Sequence, residues 1–172
     1  MKDLHDHMKP AILGMLLLLA GVFFYLADRP PDRIYFIQQI GTHFSLFDNT
    51  PLLFGKLGKW LPTFLHVVAF SLFTAVLINH SRKGVAVVCA AWAGINIFME
   101  FGQKYSDTAI SLIPAWFNQI PVLKNTAPYF QRGTFDPLDL FAAAGGAVAA
   151  YILVYLTTKA SLGSKECARA QV

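Results

Sequence analysis

Six polar side chains stand within or beside long apolar segments of this sequence, where charge is costly. They are His66, Glu100, Gln103, Arg132, Asp136 and Asp139. The two pairs spaced three apart, Glu100 with Gln103 and Asp136 with Asp139, each share one face of a helix. Carboxylates can bind amines, hydroxyls or a divalent cation, a guanidinium can pair with an anionic oxygen, and an imidazole can act as acid or base. The set therefore predicts a ligand-binding site for a polar group.

Structural roles explain some of these residues equally well. Asp136 precedes Pro137, an arrangement typical of a helix N-cap followed by the first helical residue. Asp139 would then meet the positive end of the helix dipole, although one cap already serves that turn. His66 could be held by one hydrogen bond between helices, and Glu100 could reach outward to water. The sequence contains no nucleophile elbow, metal-binding helix motif or phosphate loop, so whether any reaction is catalysed is left open.

Composition predicts the elements that position these residues. The chain has 172 residues, of which 55% are hydrophobic and 14% charged, with a mean hydropathy of +0.48. This is more apolar surface than a small water-soluble core can bury. Four apolar segments approach the ~20 residues that span a bilayer as a helix, namely 11–27, 61–79, 85–103 and 137–157. None alternates like a barrel strand, so we expect an all-α bundle of four transmembrane helices in a single domain, 1–172.

Other classes of protein find little support. The net charge of +4 is spread thinly, without the basic stripe that nucleic-acid binding requires. Cys89 and Cys167 have no metal-binding spacing, and His5 and His7 stand in a terminal segment where a metal site is rarely formed. We therefore predict no cofactor, no metal and no nucleic-acid partner. The first apolar segment, with Tyr25 where a signal peptidase needs a small residue, is interpreted as a membrane helix rather than a signal peptide.

Basic residues predict the orientation. Seven Lys and Arg lie on each side of the membrane, but those beside the N-terminus, the 80–84 loop and the tail are concentrated on shorter segments. We expect both termini in the cytoplasm of a bacterium, in a multi-pass protein of its inner membrane. The long segments 28–60 and 104–136 then lie outside as interfacial or re-entrant stretches, with an unstructured outer loop as the alternative. The tail, 158–172, is predicted to be disordered.

Small residues predict which helices pack closely. Gly145 with Ala149 and Gly146 with Ala150 follow the small-xxx-small spacing of close helix contacts. The third helix also carries small residues, at positions 90, 91, 93 and 94. With the predicted topology, the six polar residues fall at one outer level of the membrane, and packing of the third and fourth helices would bring Glu100 towards the two aspartates. Asn96, one turn before Glu100, extends the same face inward.

These residues resemble the pattern of the VanZ-like membrane proteins. The resemblance rests on His66 in "FLHVVAF", on "EFGQ" at 100–103 and on "RGTFDPLDLFAAAGG" at 132–146, and it covers about residues 61–157. It implies a bacterial membrane protein of about four helices, connected with the cell envelope and with resistance to glycopeptide antibiotics of the teicoplanin type. It implies no defined reaction. The chain departs from the pattern in having Ala143 where an Asn is usual, a longer loop from 103 to 132, and no Asp-Lys pair before the His helix.

Two hypotheses for function follow. In the first, the six residues form a pocket at the outer membrane boundary for a lipid headgroup, a lipid-linked envelope precursor or an amphiphilic compound. In the second, they form a lock between helices, and the chain is a scaffold or accessory subunit whose loop 104–136 contacts a membrane protein partner. A proton-coupled transporter is a weaker third possibility, because the sequence has no charged groups at mid-depth in the cytoplasmic half.

Overall fold

The computed structural model describes the backbone of residues 2–28, 54–78, 81–121 and 123–169. Side chains are described in those ranges from residue 8 to residue 157, except residue 56. Most of the predicted interfacial stretch at 28–60, and the side chains of His5, His7 and Cys167, lie outside the described residues.

Four long helices form the fold. They are α1 (Lys2–Ala27), α2 (Lys56–Leu77), α3 (Arg82–Lys104) and α6 (Pro137–Arg169). Each contains a stretch long and apolar enough to cross a membrane, which confirms the prediction of an all-α, four-helix membrane bundle. Several bounds differ from prediction. Helix α1 begins nine residues early, at Lys2, and α3 begins three residues early, at Arg82. Helix α2 begins five residues early, and α6 continues to Arg169, so the backbone of residues 158–169 is helical. No proline interrupts that stretch.

Helix α2 lies at the centre and packs against the other three long helices. Gly14 and Gly21, seven residues apart on α1, let that helix approach α2 closely. A Cβ atom at Gly14 would lie 3.2 Å from the carbonyl oxygen of Ala69. Gly146 does the same for α6, because a Cβ atom there would lie 2.8 Å from the carbonyl oxygen of Phe64. The glycines of the fourth predicted helix thus serve contact with α2, whereas a Cβ atom at Gly94 on α3 would meet nothing within 4 Å.

The apolar core lies nearer the end of the bundle where α2 ends and α3 begins. It joins three of the helices through Val68, Leu72, Ala75, Val85, Cys89, Ala150 and Val154. Cys89 is a buried free thiol within this core. Large apolar side chains also cover the outward faces of the helices, among them Val87, Phe98, Phe141 and Val148. Such outward faces fit a lipid environment better than water.

A buried carboxylate links α1 to the start of α2. Asp28 is 6% exposed, and its Oδ1 accepts a hydrogen bond of 3.1 Å from the backbone N–H of Phe54. Its Oδ2 lies against Gly58, where a side chain of any size would collide with it. Helix α2 has no cap from its own N-cap residue, Gly55, whose φ of 55° favours glycine. Asp28 therefore supplies negative charge at the positive end of α2.

The second long connection is built from short helices. It contains α4 (Ser106–Ser111), two 3-10 helices (Ala115–Gln119 and Leu123–Asn125) and α5 (Thr126–Arg132). Helix α5 packs against both α4 and the end of α3. In the described part of this segment no helix is long enough to span a membrane, as the prolines at 114 and 121 predicted. Trp116 is exposed and meets the Phe117 ring edge-on at 4.5 Å.

Candidate functional site

Glu100 is the buried centre of the candidate site. It lies one turn before the end of α3 and is 8% exposed. Its Oε2 accepts a hydrogen bond of 3.2 Å from the backbone N–H of Asp136. The carboxylate therefore joins the end of α3 to the residue that introduces α6. This is the contact between separate helices that the sequence predicted, although the partner is the backbone of Asp136 and not its side chain.

Asp136 caps α6 as its position before Pro137 predicted. Its Oδ1 accepts a hydrogen bond of 2.9 Å from the backbone N–H of Leu138, and the Asp139 N–H bonds to its carbonyl oxygen at 3.0 Å. Asp139 stands in the first turn of α6, where the helix dipole favours negative charge. Glu100, Asp136 and Asp139 thus gather around the positive end of one helix.

The connection 105–136, which we call the outer segment after its predicted side of the membrane, completes this arrangement from the other side. The Gln103 side-chain amide donates a hydrogen bond of 2.8 Å to the hydroxyl of Tyr129 on α5. The same side chain packs on Gly133, where a Cβ atom would lie 2.6 Å from its Cγ. Phe130, which is buried, lies against Gly102. The residues Gly102 and Gln103 of "EFGQ" therefore provide the surface on which α5 docks. We call the residues Glu100, Gln103, Tyr129, Asp136 and Asp139 the polar cluster.

The pKa of the Tyr129 hydroxyl reflects the negative charge of this cluster. Burial raises the pKa of its hydroxyl above the ordinary value, and the negative charges of Glu100 and Asp139 raise it further, while the hydrogen bond from Gln103 lowers it. Tyr25 near the end of α1 adds a small effect in the raising direction. Tyr129 is nonetheless 45% exposed, so the cluster extends from the buried Glu100 to the surface. Sequence reasoning missed Tyr129, since nothing local to "APYFQR" marks it as a partner of Gln103.

Two predicted site residues stand apart from the polar cluster. The His66 ring lies 4.4 Å from that of Phe70 and 6.4 Å from that of Trp92. Trp92 precedes Glu100 by eight residues, a distance of about 12 Å along α3. Arg132 ends α5 and is exposed, and it makes no ion pair with the residues that the structure describes. The cluster is thus acidic on its buried side, with a guanidinium on the adjoining surface.

The remaining predictions about the site concern Asn96, Ala143 and metal ions. The Asn96 amide turns back to its own helix and donates to the carbonyl oxygen of Trp92 at 2.9 Å, so it does not extend the cluster inward. Ala143 is fully buried, one turn deeper on α6 than Asp139. Among the described side chains no group of three or more His, Cys, Asp or Glu is placed to bind a metal ion. The carboxylates therefore have no support as a divalent-cation site.

Fold and site together define a class: a multi-pass, all-α membrane protein with a polar cluster at one end of its helix bundle. Comparison with protein-family models, with curated proteins and with solved structures gives no match. The resemblance to the VanZ-like proteins thus stays a prediction from the residues themselves.

Proposed function

We propose that this chain is a VanZ-like protein of the bacterial inner membrane that binds the polar headgroup of a lipid, a lipid-linked envelope precursor or an amphiphilic compound. The polar cluster would provide the site, facing the periplasm with both termini in the cytoplasm. The proposal rests on one observation: the polar cluster extends from Glu100, which is buried, to Tyr129, which is 45% exposed. A carboxylate is held below the surface, and hydroxyl and carboxylate groups lead outward from it.

The chemistry of such a site follows from its groups. Asp139 and the Tyr129 hydroxyl can accept hydrogen bonds from an amine or a hydroxyl of a headgroup. Arg132, exposed at the end of α5, can pair with an anionic oxygen on the surface side. The hydrogen bonds of Gln103 to Tyr129 and of Asp136 to Glu100 fix the groups before a ligand arrives. Such preorganisation lowers the entropic cost of binding.

One observation favours the second function, an interhelical lock in a scaffold or accessory subunit. The bond from the Asp136 N–H to Glu100 and the bond from Gln103 to Tyr129 each join elements distant in sequence. A lock needs these contacts and no ligand. In that function the exposed aromatic residues of the outer segment, including Trp116, would contact a membrane protein partner.

Asp139→Asn separates the two functions, because it removes charge from the partly exposed side of the cluster while keeping the shape. The matched control is Asp107→Asn, which changes an exposed carboxylate of α4 outside the cluster. The full chain would be placed in nanodiscs of phosphatidylethanolamine and phosphatidylglycerol. Retained lipid would be identified by native mass spectrometry and stability measured by thermal unfolding.

Each variant removes a carboxylate from the first turn of a helix, which costs about 0.3–1 kcal/mol. The proposed function predicts that Asp139→Asn loses retained phosphatidylethanolamine with no greater loss of stability than Asp107→Asn, and that Asp107→Asn keeps the lipid. An interhelical lock predicts the opposite pattern, with lower stability and unchanged lipid. Equal lipid retention and equal stability in the two variants would contradict both functions for this residue.

A further inference from the structure

We propose that α3 carries a binding site for a lipid phosphate at each of its two ends. Lys104 with Phe135 and Tyr105 forms the first site, at the end that holds the polar cluster. Arg82 with Tyr155 forms the second, at the opposite end. These sites are separate from the polar cluster and do not depend on its function.

The first site is a cation held over aromatic rings. The Lys104 Nζ lies 4.9 Å from the centroid of the Phe135 ring and 5.6 Å from that of Tyr105. Phe101 extends the aromatic surface, with its ring 6.1 Å from that of Phe135. Rings within about 6 Å attract and position an ammonium group, but they carry no net charge. Within the described part of the chain Lys104 has no carboxylate partner, so its charge is available to an oxyanion.

The second site repeats this arrangement at the other end of the same helix. The Arg82 guanidinium carbon lies 5.4 Å from the centroid of the Tyr155 ring. Arg82 is the first residue of α3, as Lys104 is the last. Tyr155 comes from α6, so each end of α3 has its cation placed by a ring from outside α3. A guanidinium on a ring keeps its outer N–H groups free to bind phosphate oxygens in pairs.

The length of α3 between the two cations points to a lipid phosphate. Helix α3 has 23 residues, and its ends are therefore about 33 Å apart at ~1.5 Å per residue. The hydrocarbon core of a bilayer is about 30 Å thick. Apart from Lys83, which directly follows Arg82 and adds to the charge of that end, the large exposed side chains between the cations are apolar, including Val87, Ile95 and Phe98. The acidic residue in that interval, Glu100, is buried. Cations at the two borders of an apolar band of this length meet the phosphates of both leaflets.

Lipid retention tests the proposal. The full chain would be placed in nanodiscs of equal parts phosphatidylglycerol and phosphatidylcholine, and bound phosphatidylglycerol would be measured by native mass spectrometry. The test variants are Lys104→Gln and Arg82→Gln. The control is Lys124→Gln, an exposed lysine for which the structure shows no ring contact. We expect each test variant to bind phosphatidylglycerol about fivefold more weakly, the effect of one basic residue near an anionic surface, and the control to match the wild type.

Three further measurements distinguish lipid binding from misfolding and from binding of free phosphate. Lys104→Arg keeps the charge and should retain lipid, and thermal unfolding of Lys104→Gln should match that of the wild type. Addition of inorganic phosphate should leave the bound lipid in place. The proposal is overturned if the test variants retain as much phosphatidylglycerol as the wild type, if Lys124→Gln loses as much as they do, or if inorganic phosphate displaces the lipid.

Discussion

Replacing Gly102 with alanine is expected to separate α5 from the end of α3. Tyr129, which α5 carries, would then no longer contact the rest of the polar cluster. A methyl group at this position would overlap the Phe130 ring, with its Cδ1 and Cζ atoms only 2.9 and 3.0 Å away. Phe130 is 5% exposed, so the ring must leave its place to admit the methyl group. Its neighbour Tyr129 would move with it and lose the hydrogen bond from Gln103.

The size of the effect follows from these contacts. Overpacking of a buried position typically costs about 1–3 kcal/mol, and the lost hydrogen bond adds about 1 kcal/mol. Alanine in place of glycine within a helix stabilises the helix by roughly 0.5–1 kcal/mol, which offsets part of this cost. We expect the free energy of unfolding of Gly102→Ala to fall by about 2 kcal/mol relative to the wild type, the middle of the overpacking range.

The assay is reversible unfolding of the full chain in detergent micelles, with Gly94→Ala as the control. Gly94 lies on the same helix, and a Cβ atom there would meet nothing within 4 Å, so this variant should be neutral or slightly more stable. In the double variant with Phe130→Ala, the ring is gone and the cost of the methyl group should disappear. Equal stability of the two glycine variants, or strictly additive effects in the double variant, would refute the packing of Phe130 on Gly102.

Two more predictions use other described contacts. Gly146→Ala should lower the free energy of unfolding by about 1–3 kcal/mol, because a carbonyl oxygen of α2 would lie 2.8 Å from the new methyl group. In the same unfolding assay Gly145→Ala should be tolerated, because the nearest atom there is 3.8 Å away. The raised pKa of Tyr129 means that its contribution to stability is fully present below about pH 10 and is lost as the pH rises through the folded value. Glu100→Gln should lower the pKa of Tyr129, and Gln103→Leu should raise it. The ultraviolet absorbance of tyrosinate measures both shifts, with Tyr129→Phe as the reference. Shifts in the same direction would contradict the arrangement of charges.

The four spanning helices could be predicted from the sequence because apolar length and helix-breaking residues are local signals. The cap at Asp136 is local in the same sense, since Asp followed by Pro marks a helix start within two residues. The contact of Glu100 with the start of α6 was predictable from topology and small residues together. The atom that Glu100 contacts, the backbone N–H of Asp136, could not be predicted. A pattern of residue types does not show which backbone N–H groups at a helix start lack a partner within the helix.

The residues that were missed or misplaced depend on contacts distant in the chain. Tyr129 reaches Gln103 across 26 residues, and Asp28 reaches Phe54 across the same interval, so neither pair leaves a pattern in any short window. His66 was placed near the outer end of its helix by counting from residue 61. Since α2 begins at Lys56, His66 lies about 15 Å from its start, deeper than the carboxylates.

The most direct test of the central arrangement is a disulfide between the end of α3 and the outer segment. A Cβ atom at Gly133 would lie 2.6 Å from the Cγ of Gln103, so cysteines at these two positions come within reach of the roughly 3.5–4.5 Å Cβ separation of a disulfide. The pair Gln103→Cys with Gly133→Cys would be made in a chain with Cys89 and Cys167 replaced by alanine, and mild oxidation followed by peptide mass spectrometry would detect the link. The structure predicts rapid, nearly complete cross-linking for this pair and none when Gly94→Cys replaces Gln103→Cys. Absence of the link at 103–133 in folded protein would show that the outer segment does not close over the end of α3, and the polar cluster would not exist as described.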